Sequence, residues 1–337
     1  MISRLNRFIP DQFLLLLLAT LLLASMLPVR GIWAPRFDML TNVAIAMLFF
    51  LHGAKLSREA IMQGIGAWRL HLMVLATTFA LFPIVGLGAN LLLAPFINPL
   101  LAMGLLYLCI LPSTVQSSIA MTSIARGNVP AAVCSASLSN LLGIFLTPLL
   151  ASLFFQGKGG MDGDFFLSAV GNIMLTLLLP FVLGHLSRPM TGAFMDRHKA
   201  LIMRVDRGAI LLVVYTAFSA AIVEGLWSRI SIQDLTLIIL ANLALLFIIL
   251  FLTRLVSRVA GLPVEDETVL VFCGSKKSLA SGVPIAGALF PVAQVGFIIL
   301  PVMIFHQLQL LVCATIAQRY ARRADAAALA KVQLHTV

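Results

Sequence analysis

The chain has 337 residues, of which 61% are hydrophobic and 11% are charged, and its mean hydropathy is +1.04. Soluble domains carry about 25% charged residues, so this deficit excludes an ordinary water-soluble protein. Apolar runs long enough for a helix to cross the hydrocarbon core recur from one end to the other. The sequence therefore predicts an all-α polytopic membrane protein.

In chain order, these runs predict ten membrane-spanning helices, spans one to ten. Their ranges are 12–28, 38–55, 69–93, 98–125, 129–155, 164–187, 203–226, 232–256, 266–289 and 291–318. The first could be mistaken for a signal peptide. It lacks a clean small-x-small cleavage site, and the repeat described below pairs it with span six, so it is kept as a span.

Most of the 23 Lys and Arg residues fall in the loops on one side of the predicted membrane. Because positive loops remain in the cytoplasm, this bias places both termini inside. It also accounts for the net charge of +10 without a nucleic-acid partner. The expected location is the bacterial cytoplasmic (inner) membrane.

Two segments with similar polar patterns indicate an internal repeat. The register that aligns LPSTVQSSIA (111–120) with CGSKKSLASG (273–282) also brings spans one to five onto spans six to ten. Five is an odd number of crossings, so the second half must be inverted relative to the first, as in secondary transporters. The predicted repeats are residues 1–160 and 161–337.

Spans four and nine are each interrupted by small polar residues near their middle. Pro112 removes a helical hydrogen bond from span four. Non-helical backbone at membrane depth is tolerated only where protein or a water-filled cavity satisfies it, so the two breaks are expected to cross and form a site. The alternative is that these hydroxyls only join packed helices. The candidates are Ser113, Thr114, Gln116, Ser117 and Ser118 in span four, and Ser275, Lys276, Lys277 and Ser278 in span nine.

The two lysines carry the strongest argument for function. A lysine at the centre of a membrane helix costs about 3 kcal/mol, and intramembrane ionisable residues are functional by default. The alternative is that an ammonium caps the carbonyl end of the first half-helix of span nine. Both can hold, because a fixed cation also attracts an anionic substrate. Adjacent helical residues point about 100° apart, so Lys276 and Lys277 are expected to serve different neighbours.

Spans five and ten contribute further polar candidates, for which packing hydrogen bonds are an equal alternative. They are Ser135, Ser139 and Asn140 in span five and His306 and Gln307 in span ten, where Gln309 shares a face with His306.

The chain lacks the motifs of the common enzyme classes. No span holds paired carboxylates, and H-E-x-x-H, G-x-S-x-G and phosphate-binding motifs are absent. The four cysteines lie in apolar segments without a C-x-x-C pair, so we predict no zinc site and no disulfide framework. An enzyme and a primary pump are therefore disfavoured.

Several segments, spread over essentially the whole chain, resemble the bacterial SBF-like branch of the bile acid:sodium symporter superfamily. They are HGAKLSREA, LCILPSTVQSSIA, ARGNVPAAVCSAS, LLLPFVLGHLSRP, LLVVYTAFS, VFCGSKKSLA and FHQLQL. The similarity is greatest to the branch related to the seventh member of solute carrier family 10. The resemblance implies a panel module of spans 1, 2, 6 and 7, a core module of the other six spans, crossed spans four and nine, and alternating access.

The resemblance also identifies a departure at the sodium sites. Sodium-coupled relatives use a serine–asparagine pair on span four, a serine and a threonine on span five, a glutamine on span three, and a glutamate and a glutamine on span nine. The matching positions here hold Ser118 and Ile119, Ala132 and Ala136, Thr78, and Phe272 and Lys276. Sodium prefers oxygen ligands, and an ammonium repels it. We therefore expect Lys276, with Lys277, to supply positive charge where relatives bind sodium.

The leading expectation is a secondary transporter of a small organic anion. It has no cofactor, and its coupling is absent or runs on H⁺. A second reading retains Na⁺ coupling for a bile acid or another organic anion, through a rearranged site near Ser117, Ser118 and Thr78. A third is a non-transporting membrane regulator of ion homeostasis. The expected partners are a small-molecule solute and membrane lipid, and the sequence leaves the oligomeric state open.

Overall fold

A computed structural model describes residues 12–55, 67–155 and 163–335, and every regular element in these ranges is a helix. The predicted repeat boundary at 160/161 lies outside the described residues. The helices of nine residues or more are α1 (Gln12–Met26), α2 (Ala34–Lys55), α3 (Trp68–Phe96), α4 (Pro99–Ile110), α5 (Gln116–Ile124), α6 (Val129–Phe155), α7 (Gly163–Arg197), α8 (Lys199–Val223), α9 (Ile232–Val259), α10 (Val264–Ser275), α11 (Leu279–Leu289) and α12 (Val292–His335).

The helix lengths suit a multi-pass membrane protein. Within the described ranges, six helices are long and apolar enough to cross a membrane, namely α2, α3, α6, α8, α9 and α12. The count is below ten partly because spans four and nine are each divided into two shorter helices, α4 with α5 and α10 with α11. The all-helical class is therefore confirmed, whereas the ten-helix repeat stays a prediction.

The described chain divides into two compact units. The first contains α1, α2, α8 and residues 175–197 and 283–297. The second contains α3 to α6, α9, α10 and residues 279–282 and 298–335. Both helix breaks and all the lysine contacts described below belong to the second unit.

In the first unit, α2 and α7 pack with their backbones in contact at two glycines. A Cβ on Gly53 would lie 1.9 Å from the Phe181 carbonyl oxygen, and one on Gly184 would lie 2.0 Å from the Phe50 carbonyl oxygen. Small residues allow this close approach, which is how membrane helices gain van der Waals contact.

In the second unit, the two breaks occur where the sequence predicts them, and they contact each other directly. The backbone is extended at Leu111, after α4, and at Lys276, after α10. The Ser278 amide donates a hydrogen bond to the Pro112 carbonyl, with an N···O distance of 2.8 Å. Each break thus satisfies part of the backbone that the other leaves without a helical partner.

Candidate functional site

The Lys277 ammonium is enclosed by backbone carbonyls. Its Nζ lies 2.8 Å from the Thr78 oxygen, 2.8 Å from the Cys109 oxygen and 2.7 Å from the Leu111 oxygen. The side chain is fully buried, at 0% exposure. A lysine has three N–H donors, so these three carbonyls, which we name the carbonyl cage, satisfy the group completely.

A π-helical turn in α3 makes the first of these carbonyls available. Across Thr77–Leu81 the hydrogen bonds shift by one residue, so the Phe82 amide donates to Thr77 and not to Thr78. The next possible donor to Thr78 would be residue 83, which is proline and has no N–H. The Thr78 carbonyl therefore lacks a helical donor and faces the lysine.

The end of α4 supplies the other two carbonyls. Residue 112 is proline and offers no N–H to Cys109, while the Ser113 amide donates to the Ser139 hydroxyl at 3.1 Å. Leu111 follows the last helical residue in extended backbone. The final carbonyls of a helix have no internal partner, and a cation there also interacts favourably with the helix dipole.

This geometry differs from the capping alternative that the sequence left open. The capped helix is α4, the first half of span four, and not the first half of span nine. The reason is that Lys277 lies in the extended segment after α10, so its side chain leaves its own helix and reaches the neighbouring one.

An aromatic ring closes another side of the cage. The Lys277 Nζ lies 4.1 Å from the centroid of the Phe82 ring, which packs edge-on against Phe305. A desolvated ammonium over an aromatic face gains about 2 kcal/mol. The described surroundings of this ammonium are therefore buried and suited to a cation.

The Gln309 side chain holds the backbone of Lys277. Its Oε1 accepts from the Lys277 amide at 2.8 Å, and its Nε2 donates to the Lys277 carbonyl at 2.9 Å. The same Nε2 lies 2.9 Å from His306 Nδ1. Sequence reasoning placed Gln309 on the face of His306 but missed this role. The available sequence signal was a second amide side chain within a membrane span, flanked by Leu308 and Leu310.

Lys276 is equally buried but differently bonded. Its Nζ donates to the Ser117 carbonyl at 2.8 Å and lies 5.6 Å from the centroid of the Phe272 ring. Within the described chain this is its one hydrogen bond, so two N–H donors have no protein acceptor. No carboxylate of the described residues lies within ion-pair distance of either lysine.

The hydroxyls of the first break form a cluster at the start of α5. Thr114 Oγ1 lies 2.6 Å from the Ser117 hydroxyl and 3.1 Å from the Ser118 hydroxyl. Ser118 also donates to the Phe272 carbonyl at 3.1 Å, which joins α5 to α10. Gln116 is exposed. The Ser117 carbonyl that binds Lys276 thus belongs to a cluster of hydroxyl groups.

The second break is joined to span five through the start of α11. The Ser278 hydroxyl accepts from the Ser281 amide at 3.2 Å, as a helix N-cap does. Ser281 in turn donates to Asn140 Oδ1 at 2.7 Å. Ser275 donates to its own helix at Val271.

The side chains of the other sequence candidates make no hydrogen bond to either lysine among the described residues. The Ser135 hydroxyl is 2.6 Å from His71 Nδ1, and the Thr78 hydroxyl donates to Val74 within α3. Gln307 is half-buried and makes no hydrogen bond among the described residues. Thr78 therefore contributes its carbonyl, and not its hydroxyl, to the site.

Comparison with known proteins identifies the family. The model of the SBF-like CPA transporter family matches residues 11–322. The chain belongs to this family. It is 55% identical to the uncharacterized protein PA2026 of Pseudomonas aeruginosa, over 96% of this chain and 97% of that protein.

Two further relatives have functional names. The chain is 53% identical to "Putative symporter YfeH" of Escherichia coli, over 94% of each chain. It is 28% identical to "Sodium/bile acid cotransporter 7" of Rattus norvegicus, over 80% of this chain and 79% of that protein. The resemblance predicted from the sequence motifs is confirmed, and this is a transporter family.

Proposed function

We propose that the chain is a secondary transporter that moves a small organic anion by alternating access, with Lys276 as the anion-binding group and without sodium coupling. The observation that carries this proposal is the state of Lys276, a buried ammonium at the contact of two helix breaks that has one hydrogen bond and no carboxylate partner among the described residues. A bound anion would accept from the two remaining N–H donors and offset the buried charge.

The wider architecture belongs to the same proposal. We infer ten spans in two inverted five-span repeats, residues 1–160 and 161–337, with a panel of spans 1, 2, 6 and 7 and a core of the others. The two broken helices in contact support this plan, because transporters place their sites where such helices meet. The Lys and Arg distribution supports an inner-membrane location with both termini cytoplasmic.

The proposed lack of sodium coupling follows from charge. The resemblance matches Lys276 to a sodium-site position of sodium-coupled relatives, and no described carboxylate balances the two buried ammonium groups. Coupling then runs on H⁺ through Lys276 or is absent, although the rat relative is named a sodium cotransporter. The second candidate, a rearranged Na⁺ site, draws its support from the hydroxyl cluster of Thr114, Ser117 and Ser118.

Thermal unfolding of the purified protein in detergent distinguishes these candidates. The melting temperature would be measured in Na⁺ and in choline at fixed ionic strength, then with acetate, succinate, citrate and taurocholate, for wild type and Lys276→Gln. A ligand that binds the native state raises the melting temperature by mass action. We expect no Na⁺ effect on wild type, and stabilisation by an anion that is lost in Lys276→Gln.

Transport itself would be measured in proteoliposomes with the radiolabelled form of the stabilising anion. We expect uptake that is equal in Na⁺ and choline and absent in Lys276→Gln. Clear stabilisation of wild type by Na⁺, together with uptake driven by a Na⁺ gradient, would show that the rearranged sodium site is correct and our proposal is not.

A further inference from the structure

We propose that the carbonyl cage of Thr78, Cys109 and Leu111 is a monovalent-cation site that the Lys277 ammonium fills, and that it takes a free ammonium-sized or potassium-sized cation once the Lys277 side chain is removed. The inference goes one step beyond the proposed sodium independence. It names the Lys277 ammonium as the group that stands in for a bound cation. It concerns cation binding alone, so it can succeed or fail whatever the chain transports.

The cage is built to hold a positive charge whether or not a lysine is present. Three carbonyl oxygens converge on one point 2.7 to 2.8 Å away, and the face of the Phe82 ring lies on another side at 4.1 Å. Carbonyl oxygens are the negative ends of their dipoles, and an aromatic face is also negative. An anion has no donor there, because each of these groups is an acceptor.

The features that create the cage are independent of Lys277. The π-helical turn and Pro83 leave the Thr78 carbonyl without a helical donor. Near the end of α4, the Ser113 amide donates to the Ser139 hydroxyl, and the Thr147 hydroxyl donates to the Ile110 carbonyl at 2.9 Å. Neither of these bonds involves Lys277. Removing the lysine therefore leaves preorganised oxygens without donors, which is costly unless another cation or donor enters.

The ligand set selects the class of cation. Divalent ions in proteins are bound by six or more oxygens that usually include carboxylates, and this cage offers three neutral oxygens and no carboxylate. The distances of 2.7 to 2.8 Å from its oxygens to the lysine nitrogen already fit an ammonium group. Rings of backbone carbonyls also bind K⁺ in channels. Na⁺ and Li⁺ are smaller, so the oxygens would have to move inward to reach them.

The test is rescue of a truncated lysine by free cations. Lys277→Ala would be purified in detergent, and its melting temperature measured in the chlorides of ammonium, methylammonium, K⁺, Na⁺, Li⁺ and choline at equal ionic strength. We expect a rise of about 2 °C over choline for the first three at about ten times Kd. Na⁺ should give a smaller rise than these, and Li⁺ the smallest.

Three control proteins separate the cage from general salt effects. Lys277→Met fills the space with an apolar chain and should show no cation response. Lys276→Ala removes an ammonium that has a single carbonyl partner and should not respond. Lys199→Ala removes an ammonium from a side chain that is 77% exposed and should behave as wild type.

Each outcome decides the proposal. A folded Lys277→Ala protein that is indifferent to all cations shows that water or repacking fills the space, which overturns it. Equal responses to Li⁺ and K⁺, or the same response in Lys276→Ala, also overturn it. If Lys277→Ala does not fold, Lys277→Ser would be purified with ammonium chloride present throughout. Failure of both to fold in ammonium shows that the cage cannot hold a free cation.

Discussion

Replacing each of the two adjacent lysines with methionine should have very different effects on stability. Methionine keeps a long unbranched chain and removes the charge, so the substitution isolates the ammonium. Lys277 makes three hydrogen bonds to carbonyls and faces an aromatic ring, whereas Lys276 makes one. We expect Lys277→Met to be strongly destabilised and Lys276→Met to remain close to wild type.

The magnitudes follow from these contacts. Lys277→Met gives up three charged hydrogen bonds, each worth about 1.5–3 kcal/mol, and removes the cost of a lysine at the membrane centre, about 3 kcal/mol, so its net loss is about 2–6 kcal/mol. Lys276→Met gives up one charged hydrogen bond, worth about 1.5–3 kcal/mol. It also removes the cost of a lysine at the membrane centre, about 3 kcal/mol, so its net effect is near zero.

The assay is thermal unfolding of both variants in one detergent, followed by intrinsic fluorescence and by loss of monodisperse protein on heating. For a chain of this length, 1 kcal/mol corresponds to about 1.4 °C, so Lys277→Met should melt about 3–8 °C below wild type. Lys276→Met should stay within about 2 °C of it. Equal losses in the two variants, or a larger loss in Lys276→Met, would refute our distinction between an enclosed and an open ammonium.

Two further stability predictions use neighbouring residues as controls. Gln309→Leu leaves the amide and carbonyl of Lys277 without partners and should cost about 2–4 kcal/mol, whereas Gln307→Leu should be nearly neutral. A similar loss of stability in both glutamine variants, measured by urea or thermal unfolding, would contradict the role of Gln309 in holding the backbone of Lys277. Gly184→Ala places a methyl group against the Phe50 backbone and should cost about 1–3 kcal/mol. A Cβ at Gly88 would have nothing within 4 Å, so Gly88→Ala should be neutral or stabilising. Equal melting temperatures for the two glycine variants would show that the close contact between α2 and α7 is not rigid.

The breaks were predictable from sequence because their causes are local. Pro112 interrupts α4 through its missing N–H, and a cluster of polar residues at membrane depth marks the break before α11. The sequence also predicted that the two lysines have different neighbours, but it did so on the assumption that both lie in a helix. The structure gives another reason, because Lys276 has extended backbone, in which successive side chains point in opposite directions.

The carbonyl cage could not be derived from the sequence. The π-helical turn at Thr77–Leu81 has no simple sequence signature, and without it the Thr78 carbonyl would bond within its own helix. The partnership of Gln309 with Lys277 joins residues 32 positions apart and depends on how α12 packs beside the break. The sequence thus predicted where the two breaks fall, whereas the acceptor of each ammonium depended on packing.

The contrast between the two lysines limits how the proposed transport can be driven. A coupling ion does work by binding from one side of the membrane and leaving on the other, and a side chain cannot leave the protein. The ammonium in the cage therefore stabilises the break without linking transport to a cation gradient. Lys276 has two N–H donors without an acceptor among the described residues, and in the proposed mechanism it exchanges an anion or a proton. In the proposed mechanism, any driving force beyond the anion's own gradient must act through Lys276, so a pH gradient should accelerate uptake only in proteins that retain this residue.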